Sequence, residues 1–418
     1  MIKEPRISLL DLILSISDAM DLAHPLVANH QERVAYIAFS IAKEIGLSVK
    51  EQNDIIFAGA IHDIGLLTLE DKMTALEFEF KDPYRHAEIG YRALRMSEQF
   101  SKSAVLIHYH HTRWNNGAGA NVEGEDVPIG SHILHLSDRI EISIDRQQEI
   151  LGQAKKIRSR IEEHSGEMFM PELVDAFINL SKKEYFWLDA TSQHIGLILP
   201  TVSLMPSFLL GVESLTGITD VFRKIIDFRS RFTATHTSGI AATSEMLARL
   251  MGFSQREYNI MRIAGNLHDL GKLAVPSEIL EKPASLNEDE FNVIRSHTYH
   301  TYRLLERIKG LETINEWGAF HHERMDGRGY PFHHKGEDLT LGSRIMAVAD
   351  VFTAITEDRP YRKGMALDRA LQVVQQMAEH GSLDSYVVSI LKTHSNEIDA
   401  ARVSAQSAAV EEYRETLD

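Results

Sequence analysis

The chain of 418 residues contains no cysteine, which excludes disulfides, zinc–thiolate sites and cysteine nucleophiles together and suits a reducing cytoplasm. It has no run of about 18 or more apolar residues, so we expect no membrane-spanning helix and no membrane partner. The apolar stretch 7–16 is interrupted by Asp11, which indicates a core helix and not a signal peptide. Basic residues are in the minority, with 44 Lys and Arg against 60 Asp and Glu and a net charge of −16. Such a chain is a poor binder of duplex nucleic acid, and an anionic ligand must be attracted by local cations.

Alternating strand patterns are scarce and no low-complexity tract is found, whereas helical periodicity extends over nearly the whole chain. We therefore expect an all-α fold. Capping boxes, in which a serine is followed three residues later by a glutamate, predict helix starts at Ser48/Glu51, Ser254/Glu257 and Ser285/Glu288. Residues 342–356 are predicted to form a buried helix.

What the sequence does contain is an ordered set of histidines and aspartates that occurs twice. The first copy consists of His30, His62, Asp63, His86, His110, His111 and Asp138. The second copy consists of His236, His268, Asp269, His297, His321, His322 and Asp350. The offset between copies is 206 residues for the first three positions and 211 or 212 for the rest. Such a repeat predicts a metal site that was duplicated together with its scaffold.

Imidazole and carboxylate ligands without thiolate suit divalent transition metals, and the sequence leaves Fe, Mn, Ni, Co and Zn open. Seven side chains are too many for one ion that must keep open positions, so we predict two ions in the second copy, bridged by Asp269. One ion would take His236, His268, Asp269 and Asp350, and the other Asp269, His297, His321 and His322. Two ions about 3.5–4 Å apart can bind a phosphodiester and lower the pKa of water towards about 7, so no serine or cysteine nucleophile is needed.

The second copy also carries two longer motifs, His268-Asp269-Leu270-Gly271-Lys272 and His321-His322-Glu323-Arg324-Met325-Asp326-Gly327-Arg328-Gly329-Tyr330-Pro331. With these motifs in register, residues 215–402 closely resemble the HD-GYP subgroup of the HD metal-dependent phosphohydrolases. The resemblance implies an all-helical domain that hydrolyses bacterial cyclic dinucleotides, chiefly cyclic di-GMP, to the linear dinucleotide or on to mononucleotide.

The resemblance also implies roles for individual residues of the second copy. Asp269 and Lys272 would be catalytic, with Lys272 contacting a substrate phosphate. Arg359 and Arg362 would hold the phosphates from a second side. The loop residues expected to contact substrate are Gly329, Tyr330 and Pro331. Cations beside a di-metal centre are what an anionic diester requires in an acidic protein.

One position departs from the pattern of some family members. They place a glutamate one helical turn before the first histidine, where it supports a third metal ion. Here Phe232 stands four residues before His236, and an apolar ring cannot ligate a metal. We therefore expect two metal ions in this half and not three.

The first copy keeps every metal-ligand position but lacks the predicted substrate contacts. Leu66 replaces the lysine, Thr112 replaces Glu323, and the loop 116–120 has no Tyr-Pro. The two arginines have no counterparts either. Two interpretations stay open: a metal-binding but catalytically silent regulatory or dimerisation domain, or a domain active on another nucleotide.

These observations predict two tandem HD domains, namely a degenerate one at 1–183, a packed helical linker at 184–222 and an HD-GYP catalytic domain at 223–418. The predicted function is a cytoplasmic, metal-dependent cyclic-dinucleotide phosphodiesterase. The sequence does not fix its oligomeric state and leaves a homodimer open. Cyclic di-GMP is the first expected substrate. The alternatives are hydrolysis of 3′,3′-cyclic GMP-AMP or another nucleotide, and a non-catalytic cyclic-dinucleotide sensor.

Overall fold

The fold was obtained as a computed structural model that describes residues 7–22, 28–66, 68–78, 83–202, 209–228, 235–282, 284–358 and 363–417. As predicted, it is all-α. The described strands are short: β1 (Ile7–Ser8) pairs antiparallel with β4 (Leu209–Leu210), and β2 (Asn121–Val122) pairs with β3 (Glu125–Asp126). Within the described ranges, no helix is long and apolar enough to cross a bilayer.

The chain divides into two compact units, Ile16–Phe208 and the combination of Met1–Ser15 with Leu209–Asp418. Helix α1 (Leu9–Asp21) comes first. The N-terminal unit then contains α2 (His30–Glu44), α3 (Val49–Ala60), α4 (Leu69–Ala75), α5 (Tyr84–Leu94), α6 (Ser101–His108), α7 (Ile129–Ile142), α8 (Ile150–Glu163), α9 (Pro171–Leu180), α10 (Glu184–Ala190) and α11 (Ile195–Val202). The C-terminal unit contains α12 (Val212–Phe228), α13 (His236–Leu250), α14 (Gln255–Leu267), α15 (Ser277–Leu280), α16 (Glu288–Glu306), α17 (Glu312–Ala319), α18 (Leu341–Thr356), α19 (Leu367–Glu379), α20 (Ser385–Thr393) and α21 (Ser395–Leu417).

Both units use the same crossing of two helices to bring their first ligands together. In the N-terminal unit, a Cβ added to Gly59 of α3 would lie 2.7 Å from the Cα of Ala35 on α2. In the C-terminal unit, a Cβ on Gly265 of α14 would lie 2.7 Å from the Cα of Ala241 on α13. Only glycine permits such a close approach of two backbones. The repeat therefore conserves the helix contact that sets the spacing of the ligands.

Two of the three predicted capping boxes are confirmed. Ser48 caps α3 with Glu51, and Ser254 caps α14 with Glu257. The third prediction was wrong, because α16 is capped by Asn287 and not by Ser285. Asn287 accepts the backbone N–H of Glu290, and the Glu290 carboxylate is also held by Lys282 at 2.6 Å. That ion pair stabilises the later of two overlapping capping patterns.

The described part of the segment between the two repeats is packed at several of its apolar positions, whereas Leu197 is exposed. Phe186 and Trp187 of α10 are buried, as are Ile195 and Leu199 of α11. The Trp187 indole N–H donates to the backbone carbonyl of Ser181 at 2.9 Å. These helices extend the core of the N-terminal unit, which explains why a segment without metal ligands is still apolar.

Candidate metal centre

The seven predicted ligands of the C-terminal unit converge on one buried site. His236 begins α13, His297 lies in α16 and Asp350 in α18, while the adjacent pairs His268–Asp269 and His321–His322 follow α14 and α17. The Nε2 atoms of His268 and His297 lie 3.0 and 3.3 Å from the two oxygens of Asp269. The Asp350 carboxylate lies 3.4 Å from His236 Nε2 and 3.3 Å from His322 Nδ1. The side chain of His322, 29% exposed, marks the open side of the site.

The backbone orients three of these imidazoles. The Nδ1 atoms of His268, His297 and His321 each donate to the carbonyl oxygen three residues earlier, at 2.7, 2.5 and 2.7 Å. Each Nε2 lone pair is thereby directed into the cluster, as metal ligation requires. His236 instead donates to the buried Glu357 carboxylate at 2.9 Å. Glu357 was not identified from the sequence, although its position seven residues after Asp350 on the same helical face could have indicated it.

The protonation states of His297 and Asp269 suit metal binding, whereas His236 must first lose a proton. Burial lowers the pKa of His297 to about 3, so its imidazole is neutral. Burial acts to raise the pKa of Asp269, but the adjacent His268 and Lys272 hold it well below the usual range. Burial also opposes protonation of His236, yet Glu357 raises the pKa of this imidazole to about 9. A metal bound there would therefore displace a proton from His236.

Two buried atoms support the assignment of a metal centre. Within the part of the chain that the structure describes, neither His268 Nε2 nor Asp269 Oδ1 makes a hydrogen bond. Both atoms face other predicted ligands at 3.0–3.3 Å without a hydrogen bond, which is unfavourable for buried polar groups, and a divalent cation between them compensates both. The residues present thus fit the metal ions predicted from the sequence.

Lys272 lies on a 3₁₀ turn (Leu270–Ala274) that packs closely on α16, since a Cβ on Gly271 would lie 2.0 Å from the carbonyl oxygen of His297. The Lys272 ammonium contacts Asp269 Oδ2 at 2.5 Å, and its side chain is 17% exposed. The lysine therefore stands at the rim of the cluster, against a predicted ligand.

The glycine-rich loop after His322 is held by Glu323, whose importance the sequence did not reveal. This buried carboxylate accepts the backbone N–H groups of Phe332, His333 and His334 at 2.7–3.1 Å. Gly329 lies so close that an added Cβ would be 2.4 Å from the Cα of Glu323. The glycine is thus needed for the fold of the loop.

Tyr330 is brought to the cluster by this loop. Its ring centroid lies 4.9 Å from that of His322, and the Arg295 guanidinium lies 4.9 Å from the tyrosine ring. Burial raises the pKa of Tyr330, so its hydroxyl stays protonated and can donate a hydrogen bond. Arg295 is a cation that the sequence motifs did not single out. Pro331 follows in a cis peptide bond.

Three predicted positions lie outside the described residues, namely Phe232, Arg359 and Arg362. Their roles stay predictions from the sequence.

The seven N-terminal positions also come together, and all are buried. His86 Nε2 lies 3.3 Å from His110 Nε2, 3.1 Å from His111 Nε2 and 3.5 Å from Asp63 Oδ1. On the other side of the cluster, His30 Nε2 lies 3.5 Å from oxygens of both Asp63 and Asp138. Glu141 accepts from His30 Nδ1 at 2.6 Å, as Glu357 does from His236. The surroundings of the two clusters differ. Where the C-terminal unit has the partly exposed Lys272, the N-terminal unit has the buried Leu66.

Comparison with known proteins agrees with this arrangement. Residues 27–143 and 220–387 each match a family described as HD domain. The chain is 30% identical over 403 residues to "3'3'-cGAMP-specific phosphodiesterase 1" of Vibrio cholerae serotype O1, covering 94% of this chain and 93% of the relative. It is 38% identical over 152 residues to a "cyclic di-GMP phosphodiesterase response regulator" of Xanthomonas campestris pv. campestris, covering 35% of this chain and 40% of the relative.

A solved structure of a cyclic GMP-AMP-specific phosphodiesterase of Vibrio cholerae has the same fold, with a TM-score of 0.63 and 24% identity over 94% of this chain and 98% of that one. The repeated ligand clusters, the two domain matches and the relative that aligns along nearly the whole length lead to one assignment. This chain belongs to the HD-domain family of metal-dependent hydrolases, and it carries two HD domains in tandem.

Proposed function

We propose that this protein is a metal-dependent phosphodiesterase of bacterial cyclic dinucleotides, that the C-terminal cluster is its active site, and that 3′,3′-cyclic GMP-AMP is its preferred substrate. The substrate proposal is carried by the Vibrio cholerae relative named as specific for 3'3'-cGAMP, which aligns with 94% of this chain. The cyclic di-GMP phosphodiesterase of Xanthomonas campestris aligns with 35%. The motifs alone favour cyclic di-GMP, so the two substrates are the central comparison of the experiment below.

Two divalent transition-metal ions at the C-terminal cluster would supply electrostatic stabilisation of the phosphodiester and a water of lowered pKa. The position of Asp269 supports its role as the shared ligand. One carboxylate oxygen faces His268 and the other faces His297. A carboxylate that presents its two oxygens to different imidazoles can serve both halves of the cluster at once.

Lys272 is proposed to hold a substrate phosphate. Its ammonium has three N–H donors, and the contact with Asp269 uses one of them. The remaining donors can bind a non-bridging phosphate oxygen at the partly exposed rim. Because an ammonium has no lone pair, it cannot ligate metal, and its contribution is confined to the substrate and to the charge of Asp269.

Tyr330 and Arg295 are proposed to line the substrate side of the cluster. The protonated Tyr330 hydroxyl can donate to a phosphate oxygen, while the guanidinium of Arg295 offers a planar set of donors that suits a phosphate or the edge of a guanine. Gly329 supports this arrangement indirectly, through the close packing of the loop on Glu323.

The substrate proposal is tested by steady-state kinetics of the metal-loaded protein with 3′,3′-cyclic GMP-AMP, cyclic di-GMP and cyclic di-AMP. We expect kcat/KM for 3′,3′-cyclic GMP-AMP to exceed the others by about tenfold or more, which corresponds to about 1.4 kcal/mol of discrimination. Chromatography should identify a linear dinucleotide as the first product. An equal or higher kcat/KM for cyclic di-GMP would refute the proposed preference.

The assignment of the active site is tested by a matched pair of double variants. Replacing His268 and Asp269 by alanine should abolish hydrolysis. The corresponding N-terminal replacements, His62→Ala with Asp63→Ala, should leave kcat within a few-fold of the parent. Circular dichroism shows whether each variant is folded. Substantial hydrolysis by a folded His268/Asp269 variant would place the chemistry elsewhere.

A further inference from the structure

A buried arginine follows directly after the last ligand position of the N-terminal cluster. Arg139 is 2% exposed, and its guanidinium donates to Asp138 Oδ2 from Nε and Nη2 at 3.2 and 2.5 Å. The other donors bind the backbone carbonyls of Ala75, Glu77 and Phe78 at 3.3, 2.6 and 3.0 Å. These are five hydrogen bonds, which is the full donor capacity of a guanidinium. Arg139 thus ties the end of α4 to Asp138.

This arginine changes what the aspartate can offer. In the C-terminal unit, Asp350 directs one oxygen to His236 and the other to His322, and the next residue is Val351. In the N-terminal unit, Asp138 directs Oδ1 towards His30, and its Oδ2 is bound by the guanidinium. One oxygen of Asp138 therefore stays available as a ligand, whereas the other is occupied by the Arg139 guanidinium.

The rest of the N-terminal cluster is still arranged for a cation. The Nε2 atoms of His110 and His111 both approach His86 Nε2 within 3.3 Å. His110 and His62 donate their Nδ1–H groups to the carbonyls of Ile107 and Gly59, so their Nε2 atoms point inward. Among the described residues, His62 Nε2 has no hydrogen-bond partner although it is buried. Converging nitrogen lone pairs in a buried place are unfavourable unless a metal ion binds them.

We propose that the N-terminal cluster binds one or two divalent transition-metal ions in a closed, structural site that Arg139 seals. Closed ligand shells are characteristic of structural metal sites, whereas catalytic sites keep an exchangeable position. His111 is buried at 6% exposure, unlike the half-open His322 of the C-terminal unit. The metal would join helices α2, α5 and α7 to the segments after α3 and α6. This proposal does not depend on the substrate that we propose for the C-terminal unit.

The test uses Zn²⁺ as the probe, since it accepts imidazole and carboxylate ligands without a strong preference of geometry. Crystals of the full chain loaded with Zn²⁺ should show anomalous density between His86, His110 and His111 as well as in the C-terminal cluster. In solution, transfer of Zn²⁺ to a coloured chelator should occur in two phases. The slow phase should belong to the N-terminal site and be absent in His110→Ala.

Arg139→Met tests whether Arg139 closes the N-terminal site, and it leaves all the predicted metal ligands in place. It should retain the Zn²⁺ stoichiometry and accelerate the slow phase about 10- to 100-fold. Loss of an outer partner lowers metal affinity by that factor, and we expect the change in the dissociation rate. The control is Arg113→Met in the same unit, where the arginine pairs, among the described residues, with the exposed Glu167 at 3.4 Å. That variant should leave both phases unchanged.

The parent protein alone can overturn the proposal, even if His110→Ala does not fold. Anomalous density confined to the C-terminal cluster would exclude the N-terminal site. Release of all Zn²⁺ in one fast phase would show that the N-terminal site is not closed. A slow phase that Arg139→Met leaves unchanged would show that Arg139 does not close it. These measurements do not involve hydrolysis, so they remain valid whether or not the proposed substrate is correct.

Discussion

Single hydrogen bonds on the outer side of the imidazoles decide how the C-terminal ligands are presented. Glu357 accepts from His236 Nδ1 at 2.9 Å and holds the ring so that Nε2 faces Asp350. Glu357→Gln keeps the size of the side chain but removes its charge. We expect Zn²⁺ affinity to fall about 10- to 100-fold, as is typical for outer-shell carboxylates, in a competition titration with a chelator. The exposed Glu379 provides the control, since Glu379→Gln should leave the affinity unchanged.

Lys272 contacts the predicted ligand Asp269 but cannot itself bind metal. Its removal should therefore affect kcat/KM and leave the metal content unchanged. Lys272→Ala should leave the metal content of the purified protein unchanged. It should lower kcat/KM by about ten- to a hundredfold, because a hydrogen bond between charged groups contributes about 1.5–3 kcal/mol. Kinetics and elemental analysis on the same sample check both. Lys282→Ala, which removes an ion pair with Glu290, is the control that should alter neither. Loss of metal in Lys272→Ala would contradict a role confined to substrate.

At the scale of elements, the loop that carries Tyr330 depends on a glycine. An alanine at Gly329 would place its Cβ 2.4 Å from the Cα of Glu323, so the loop must shift. We expect Gly329→Ala to lower kcat/KM by at least about tenfold while the metal content is retained, since a small misplacement of a contact residue is costly in catalysis. Gly217 in α12 has open space around its Cβ position, and Gly217→Ala should stabilise the protein by about 0.5–1 kcal/mol without kinetic effect.

The helices also show which local patterns can be read from a sequence. Two of three capping boxes were predicted correctly because their serine–glutamate pairs have no competitor nearby. The start of α16 was missed because Asn287/Glu290 overlaps Ser285/Glu288, and a contact from Lys282 favours the later pair. A contact between separate segments is not encoded in the local spacing. Glu141 and Glu357, which orient the first histidine of each cluster, were missed for a related reason. Glu141 follows Asp138 by three residues, whereas Glu357 follows Asp350 by seven, so the two units share no common spacing.

At the scale of the whole molecule, the acidic balance makes a prediction about partners. With a net charge of −16, the protein should not bind duplex DNA measurably at physiological salt, because that binding depends on cations that displace counterions from phosphates. Fluorescence anisotropy of a labelled duplex tests this, with a labelled cyclic dinucleotide as the positive control. Binding of the duplex that weakens steeply with salt would contradict the expectation and reveal a basic surface.

The duplication predicted both clusters from the sequence, because metal ligands must recur in order wherever the scaffold recurs. The HD-domain family, the all-α fold and the clustering of the fourteen histidines and aspartates could therefore be expected before any coordinates, whereas their binding of metal stays a prediction. Arg139 could not, since an arginine beside an aspartate on a helix has no distinctive spacing. Its five hydrogen bonds arise only when the end of α4 meets α7 in the folded chain. The position of Arg295 beside the cluster could not be predicted either, because its contact with the Tyr330 ring forms only in the folded chain.

The five bonds of Arg139 also determine how far the effect of a change at this position would extend. Replacing this residue by the valine found in the other half would remove the donor of three backbone carbonyls. The bond to Ala75 is buried, whereas those to Glu77 and Phe78 are partly buried and can be replaced by water. The buried carbonyl that loses its partner costs about 1–3 kcal/mol. A substitution at this position would therefore loosen the segment after α4 together with Asp138. Through one side chain, the conformation of that segment is coupled to the way in which Asp138 is presented to the cluster.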